Sequence, residues 1–321
     1  MTELFDQLYA NGALLILWGA LLFHLIIPIP RSSHPVTLWH KFAELLADKV
    51  NTQQSYQQSY QQSLISGNLA LLLMLFPCLA VLFALKPLVW QPQLFELALL
   101  LLALDWRSNE SLAKALIRAM ANEDKAAARS LLAPYLNRET TTLSQLGIGK
   151  AAAETLIMGY GRNVVGVLFW CALSGGIGAL MYRLTVELAR AWSPSRAHYA
   201  PFGMAAVRLA AVLDFIPLRL FAVMILLGQH AGQTWQGMRQ QVASWPLPGP
   251  AWLLCAVGNK LQLSLGGPAI YQGKRAERAK IGGRIAPSAL HIDQLQHLLA
   301  RRILVWILLQ SLLMGLIYQG I

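Results

Sequence analysis

Residues 64–85, LISGNLALLLMLFPCLAVLFAL, decide the fold. The run carries no charge and exceeds the roughly 20 apolar residues that a helix needs to cross a hydrocarbon core. Pro77 interrupts it, which a membrane helix tolerates when neighbours satisfy the freed carbonyl. Lys86 and Pro87 close it. The whole chain agrees: 56% of its 321 residues are hydrophobic, 13% are charged, and mean hydropathy is +0.47. That is too apolar for an ordinary soluble domain. The expectation is an all-α, polytopic integral membrane protein forming one domain over residues 1–321. It has about four to five membrane helices plus amphipathic interfacial helices.

Outward from this run, Ala13 to Ile29 is an N-terminal span closed by Pro28 and Pro30. Glu3 and Asp6 precede it and Arg31 follows, the reverse of a secretory signal peptide, so the segment is expected to be retained with Arg31 inside. Leu38, Trp39, Phe42, Leu45, Leu46 and Val50 recur at helical spacing between charged residues, which predicts an amphipathic surface helix. Gln53 to Gln62, with its SYQQ repeat, reads as a polar linker. Leu94 to Leu104 is apolar but short. Asp105 to Asn163 has the character of a cytoplasmic helical insert, its second helix running through Glu154-Thr155.

Val164 to Met181 reads as a span whose Gly175, Gly176 and Gly178 allow close packing. Arg183, Arg190 and Arg196 then fall outside if every run crosses, against the positive-inside rule. Either Leu94 to Leu104 does not cross, or the chain near Arg183 bends back. Phe202 to Gly228 is a further span holding Arg208, Asp214 and Arg219, charges that need partners at such depth. Ile303 to Tyr318 is the last span, preceded by a cytoplasmic loop region over residues 229–302. The main loops are expected in the cytoplasm, below a bacterial inner membrane.

The net charge of +11 lies between apolar runs and no nucleic-acid signature accompanies it. Membrane lipids and anionic substrates are the expected partners, and no nucleic acid is. Cys78, Cys171 and Cys255 are scattered, without zinc or redox spacing. Leu263 to Gly283, LSLGGPAIYQGKRAERAKIGG, brings glycines together with Lys274, Arg275, Arg278 and Lys280. Such a stretch is an anion-binding loop or a topological anchor for the last helix.

Four patches in order resemble the CobD/CbiB family of cobalamin-biosynthesis membrane proteins. They are His34-Pro35-Val36, the block from Arg138-Glu139-Thr140 to Glu154-Thr155, Pro217-x-Arg219, and Leu265-Gly266-Gly267-Pro268 with Tyr271, Gly273 and Ile281-Gly282. The resemblance implies an adenosylcobinamide-phosphate synthase, a ligase that joins adenosylcobyric acid to an amino-alcohol phosphate with ATP and Mg²⁺. It also implies a place among other cobalamin-assembly membrane proteins. The resemblance implies Glu154, Asp214 and Arg219 as the catalytic candidates. Val186 and Ala189 stand where the family has Asn and Asp, and Ala210 and Ala211 lie ahead of Pro217, so Glu154, Glu187 and Asp214 are the acids left to hold Mg²⁺. Corrinoid or anion binding falls to His34, Arg138, Thr140 and Tyr271, with Gly266, Gly267, Gly273, Lys274 and Arg275.

The chain also departs from the family pattern. Where that pattern continues after Glu-Thr through further acidic residues, this chain has Met158, Gly159, Tyr160, Gly161, Arg162 and Asn163. Leu213 to Leu220, LDFIPLRL, followed by Gly228-Gln229-His230, resembles AmpE of the same broader superfamily. The alternative reading is therefore an AmpE-like, non-catalytic inner-membrane sensor or regulatory protein.

Overall fold

A computed structural model describes residues 12–26, 35–51 and 60–318. Arg31, His34 and most of the polar tract, residues 53–59, lie outside the described residues. The first helices are α1 (Gly12–Ile26), α2 (Pro35–Val50), α3 (Tyr60–Leu85) and α4 (Pro92–Ala103). The next are α5 (Arg107–Ala121), α6 (Lys125–Leu132), α7 (Gln145–Tyr160) and α8 (Val167–Ala191). After them come α9 (Met204–Leu226), α10 (Ala231–Gln241), α11 (Pro248–Lys260) and α12 (Ala289–Tyr318). Between α11 and α12 lie four short strands, β1 (Ser264–Gly266), β2 (Ala269–Tyr271), β3 (Lys274–Ala276) and β4 (Lys280–Gly282). They form two antiparallel pairs, β1 with β4 and β2 with β3.

Four helical stretches among the described residues are long and apolar enough to cross a membrane: 60–88, 145–191, 204–226 and 289–316. Gly12–His24 is a shorter apolar helix. The chain is a helical membrane protein. On α3, Leu69, Leu72, Leu73, Phe76, Val81 and Phe83 face outward, and on α12 so do Leu308, Leu312 and Leu313. Apolar surface on this scale is covered by lipid. The main core packs Leu156, Val164, Leu168, Phe221, Leu253 and Ile303 from α7, the turn that follows it, α8, α9, α11 and α12.

The segment 145–191 is not one crossing. Ser144 caps its start by accepting from the Gly147 amide at 3.2 Å, and α7 then runs through a π-helical turn at Gly161–Gly166 into α8. The second helix of the polar insert is thus continuous with a membrane segment. At Ser174 (φ −140°, ψ 19°) and Gly175 (φ 68°, ψ −165°) the helix breaks. Sixteen residues of straight helix would separate Gly166 from Tyr182 by about 24 Å. Instead, a Cβ on Gly166 would lie 2.2 Å from the Tyr182 hydroxyl, and the Trp170 and Tyr182 rings stack at 6.4 Å. The chain doubles back.

The doubling back settles the charge conflict left open by the sequence. The returning half of α8 carries Arg183 and Arg190 to the side of the polar insert, where an Arg183 nitrogen lies 3.6 Å from an Asp105 oxygen. Glu96 of α4 secures the reversal by accepting from the Gly176 amide, and Lys86 sits 3.3 Å from that carboxylate. Gly175 occupies a backbone region that is essentially closed to other residues, and an added Cβ would also meet Glu96 Oε2 at 2.7 Å. Gly175→Ala should therefore cost about 1–3 kcal/mol and lower the thermal midpoint of the detergent-solubilised protein. Gly232→Ala, where nothing lies within 4 Å, should melt like the parent.

Candidate functional site

A cavity of about 740 Å³ opens where α7, the π turn, the returning half of α8 and the segment before β4 meet. Glu154, Met158 and Arg162 recur at intervals of four and present one face of α7 and its π turn to the cavity. A π turn adds a residue to the helical ring, and turns of this kind recur at functional sites. The reversal at Ser174 and Gly175 returns Glu187 and Arg190 to the same cavity. Arg138 enters from the insert, and Tyr271 and Arg278 from the strand region. Four arginines, Arg138, Arg162, Arg190 and Arg278, thus reach the wall.

Three buried carboxylates organise these arginines. Glu154 Oε2 is 2.8 Å from Arg278 and 3.5 Å from Arg138, while its Oε1 accepts from the Gly266 amide at 2.8 Å. The Arg278 guanidinium also lies over the Trp245 ring at 4.9 Å. Asp214, with no solvent exposure, accepts from Arg162 Nε at 2.8 Å and from the Tyr182 hydroxyl at 2.8 Å. Glu187 pairs with Arg183 at 2.8 Å and with His40 of α2 at 2.7 Å, and Arg190 stands 3.9 Å away. Burial lowers the pKa of Arg138, with Glu154 opposing it. At Arg278 burial acts in the same direction, but Glu154 and a hydrogen bond to Tyr271 outweigh it and raise the pKa.

The residues named from the sequence divide by position. Glu154, Arg138, Tyr271 and Glu187 line the cavity. Asp214 stands behind Arg162. Arg219 lies elsewhere, stacked 3.7 Å from the Phe215 ring centre and 5.0 Å from that of Trp252. Thr140 sits in the turn before α7, its carbonyl accepting from Leu143. Gly266 and Gly267 back the cavity, but their amides are already engaged, by Glu154 and by the Ala279 carbonyl. Gly273 forms the tip of the β2–β3 hairpin and donates to Glu139 at 2.6 Å. Lys274 and Arg275 are exposed on β3, with Arg275 paired to Glu277 at 2.8 Å. His34 is outside the described residues.

Glu154, Glu187 and Asp214 do not share a metal site. Among the described residues no three His, Cys, Asp or Glu side chains converge, and each of the three carboxylates is held by arginine. These residues do not fit a Mg²⁺ ion held by side chains alone. Sequence reasoning missed Arg162 and Arg190 as parts of the site. The four-residue spacing along Glu154, Met158 and Arg162 was the available signal, whereas the role of Arg190 depends on the reversal.

The fold and site define a polytopic helical membrane protein with an arginine-lined polar cavity at one end of its bundle. The family profile described as CobD/Cbib protein matches residues 17–299, and the chain belongs to the CobD/CbiB family. Among its relatives, cobalamin biosynthesis protein CobD of Stutzerimonas stutzeri is 30% identical over 290 residues, covering 90% of this chain and 94% of that one. The CobD of Chromobacterium violaceum is 31% identical over 255 residues, 78% of this chain and 82% of its own. Cobalamin biosynthesis protein CbiB of Salmonella typhimurium is 27% identical over 194 residues, 58% of this chain and 60% of its own. No solved structure matches.

Removing one partner of a buried ion pair is far more damaging than the pair is stabilising, because the other charge is left uncompensated. Glu154→Ala leaves Arg138, whose side chain is 5% exposed, without its carboxylate. The expected loss is about 3–5 kcal/mol, read as a lower unfolding midpoint in detergent. Glu154→Gln, which keeps an acceptor for Gly266, should lose less.

Proposed function

We propose that this chain is a cobalamin-biosynthesis protein acting as an adenosylcobinamide-phosphate synthase. The observation that carries the reading is convergence. Arg138 and Glu154, from the two ends of one family-like patch, and Tyr271, from another, meet in one cavity with three further arginines. In the reaction, a corrinoid carboxylate oxygen attacks the terminal phosphorus of ATP and ADP leaves. The amine of the amino-alcohol phosphate then attacks the acyl carbon, phosphate departs, and nitrogen loses a proton to give the amide. The corrinoid carboxylate, the ATP phosphates and the acyl phosphate are anionic where they react, and the amino-alcohol carries a phosphate beside its reacting amine. Planar guanidiniums bind carboxylate and phosphate oxygens in pairs, and held in place beforehand they stabilise the charge that develops. Glu154 acts in this scheme as a positioning residue that fixes Arg138 and Arg278. The cavity opens on the cytoplasmic side of a bacterial inner membrane, where ATP is available.

One observation favours an AmpE-like sensor instead: each candidate metal carboxylate is already neutralised by arginine. A strain lacking its own synthase separates the readings. With this protein expressed, growth on cobyric acid in a cobalamin-requiring medium is expected, and growth on cobinamide alone would overturn the synthase reading. Arg138→Lys and Arg278→Lys keep the charge but lose the fork. Each should slow ATP-dependent amide formation by the purified protein about tenfold or more, the equivalent of one charge-assisted hydrogen bond.

A further inference from the structure

Lys150 lies one turn before Glu154 on the same face of α7, about 6 Å along the helix axis. Its ammonium is 3.5 Å from the Gly266 carbonyl oxygen. The charges acting on it are those of Lys280, Arg138 and Arg278 against the single carboxylate of Glu154. Lys280, on β4, is exposed and comes up beside it: a Cβ built on Gly267 would lie 3.7 Å from Lys150 Nζ and 3.8 Å from Lys280 Cγ. Nothing else lies within 4 Å of that point, so the absence of a side chain at Gly267 (φ +90°) leaves a gap with a lysine on each side.

Like charges gathered this closely repel unless an anion joins them. Glu154 cannot serve all four cations, since its oxygens are committed to Arg138, Arg278 and the Gly266 amide. Arg138 and Arg278 each also retain a buried Nε–H without an acceptor. Surplus positive charge therefore extends from Arg138 and Arg278 at the cavity to Lys150 and Lys280 beside Gly267. Along α7, Lys150 stands about one helical turn from Glu154, whose carboxylate holds both arginines, a spacing that suits a chain of phosphates better than a single one.

We propose that Lys150 and Lys280 form the distal half of a polyphosphate site whose proximal half is the Arg138–Arg278 edge of the cavity. The proposal rests on the synthase reading only in assigning the phosphate chain to a nucleotide. The chemistry recognised is the polyphosphate itself, whether nucleoside triphosphate or inorganic tripolyphosphate.

The test is calorimetric titration of the full-length protein in detergent with ATP, inorganic tripolyphosphate and AMP. Lys280→Ala, at an exposed position, and Lys150→Met should each weaken ATP binding about tenfold, or ~1.4 kcal/mol, while AMP affinity stays at the parent value. Lys274→Ala, on the exposed hairpin, should bind as the parent does. Tripolyphosphate binding with the same lysine dependence identifies a site that reads the phosphate chain alone; binding of ATP only shows that the nucleoside is needed as well. Parent-like ATP affinity in Lys280→Ala overturns the proposal, as does an equal loss for AMP or in Lys274→Ala. Lysine-dependent polyphosphate binding by a protein that forms no amide would leave this site standing and remove the synthase reading. Amide formation at the parent rate by both variants at limiting ATP would do the reverse.

Discussion

A carboxylate in a low-dielectric interior must be paired or neutralised, and in this protein that constraint ties distant parts of the chain together. Glu154 joins α7 to the polar insert through Arg138 and to the strand region through Arg278 and the Gly266 amide. Asp214 joins α9 to the π turn through Arg162 and to α8 through Tyr182. Glu187 joins α8 to the amphipathic α2 through His40. Each pair fixes a guanidinium or an imidazole, and the cavity is the space that these links enclose.

The links require the chain to bring residues 154, 162, 187 and 190 to one place, which a straight helix would spread over about 54 Å. The break at Ser174 and Gly175 removes that distance by folding the segment on itself. A reversal within the bundle leaves backbone donors free, and the Glu96 carboxylate takes one of them at Gly176. Glu96 in turn has Lys86 beside it at the end of α3. A turn at one end of the bundle therefore determines which side chains meet at the other.

Much of this was legible in the sequence because hydrophobic length and charge placement are local properties. The uncharged run after Leu64 identified α3, and the helical spacing around Trp39 identified α2. Arg138, Glu154 and Tyr271 were singled out by resemblance and do line one cavity. The reversal was legible only as a contradiction, since three arginines after Met181 fell on the wrong side of the membrane for a single crossing. Three closely spaced glycines do not by themselves distinguish a close-packed helix face from a helical turn-back. The partners of Asp214 were beyond reach for a different reason. Arg162 and Tyr182 are 52 and 32 residues away in sequence, and only tertiary packing brings them to it.

The glycines of the 264–282 region serve close packing, and their amides are engaged within the protein. A glycine-rich loop beside basic residues suggests backbone amides pointed at an anion. Here the Gly266 amide is given to Glu154 and the Gly267 amide to Ala279, so neither is left for a ligand. What the glycines contribute is proximity. At Gly266 an added Cβ would fall 2.1 Å from the Ala279 oxygen, so the strand could not approach its neighbour closely enough to reach Glu154. At Gly267 the missing side chain leaves Lys150 and Lys280 facing open space. In the proposed polyphosphate site, recognition of negative charge therefore falls to side chains on α7 and β4 and not to the backbone. The exposed hairpin that carries Lys274 and Arg275 is held instead by its own turn and by Glu139.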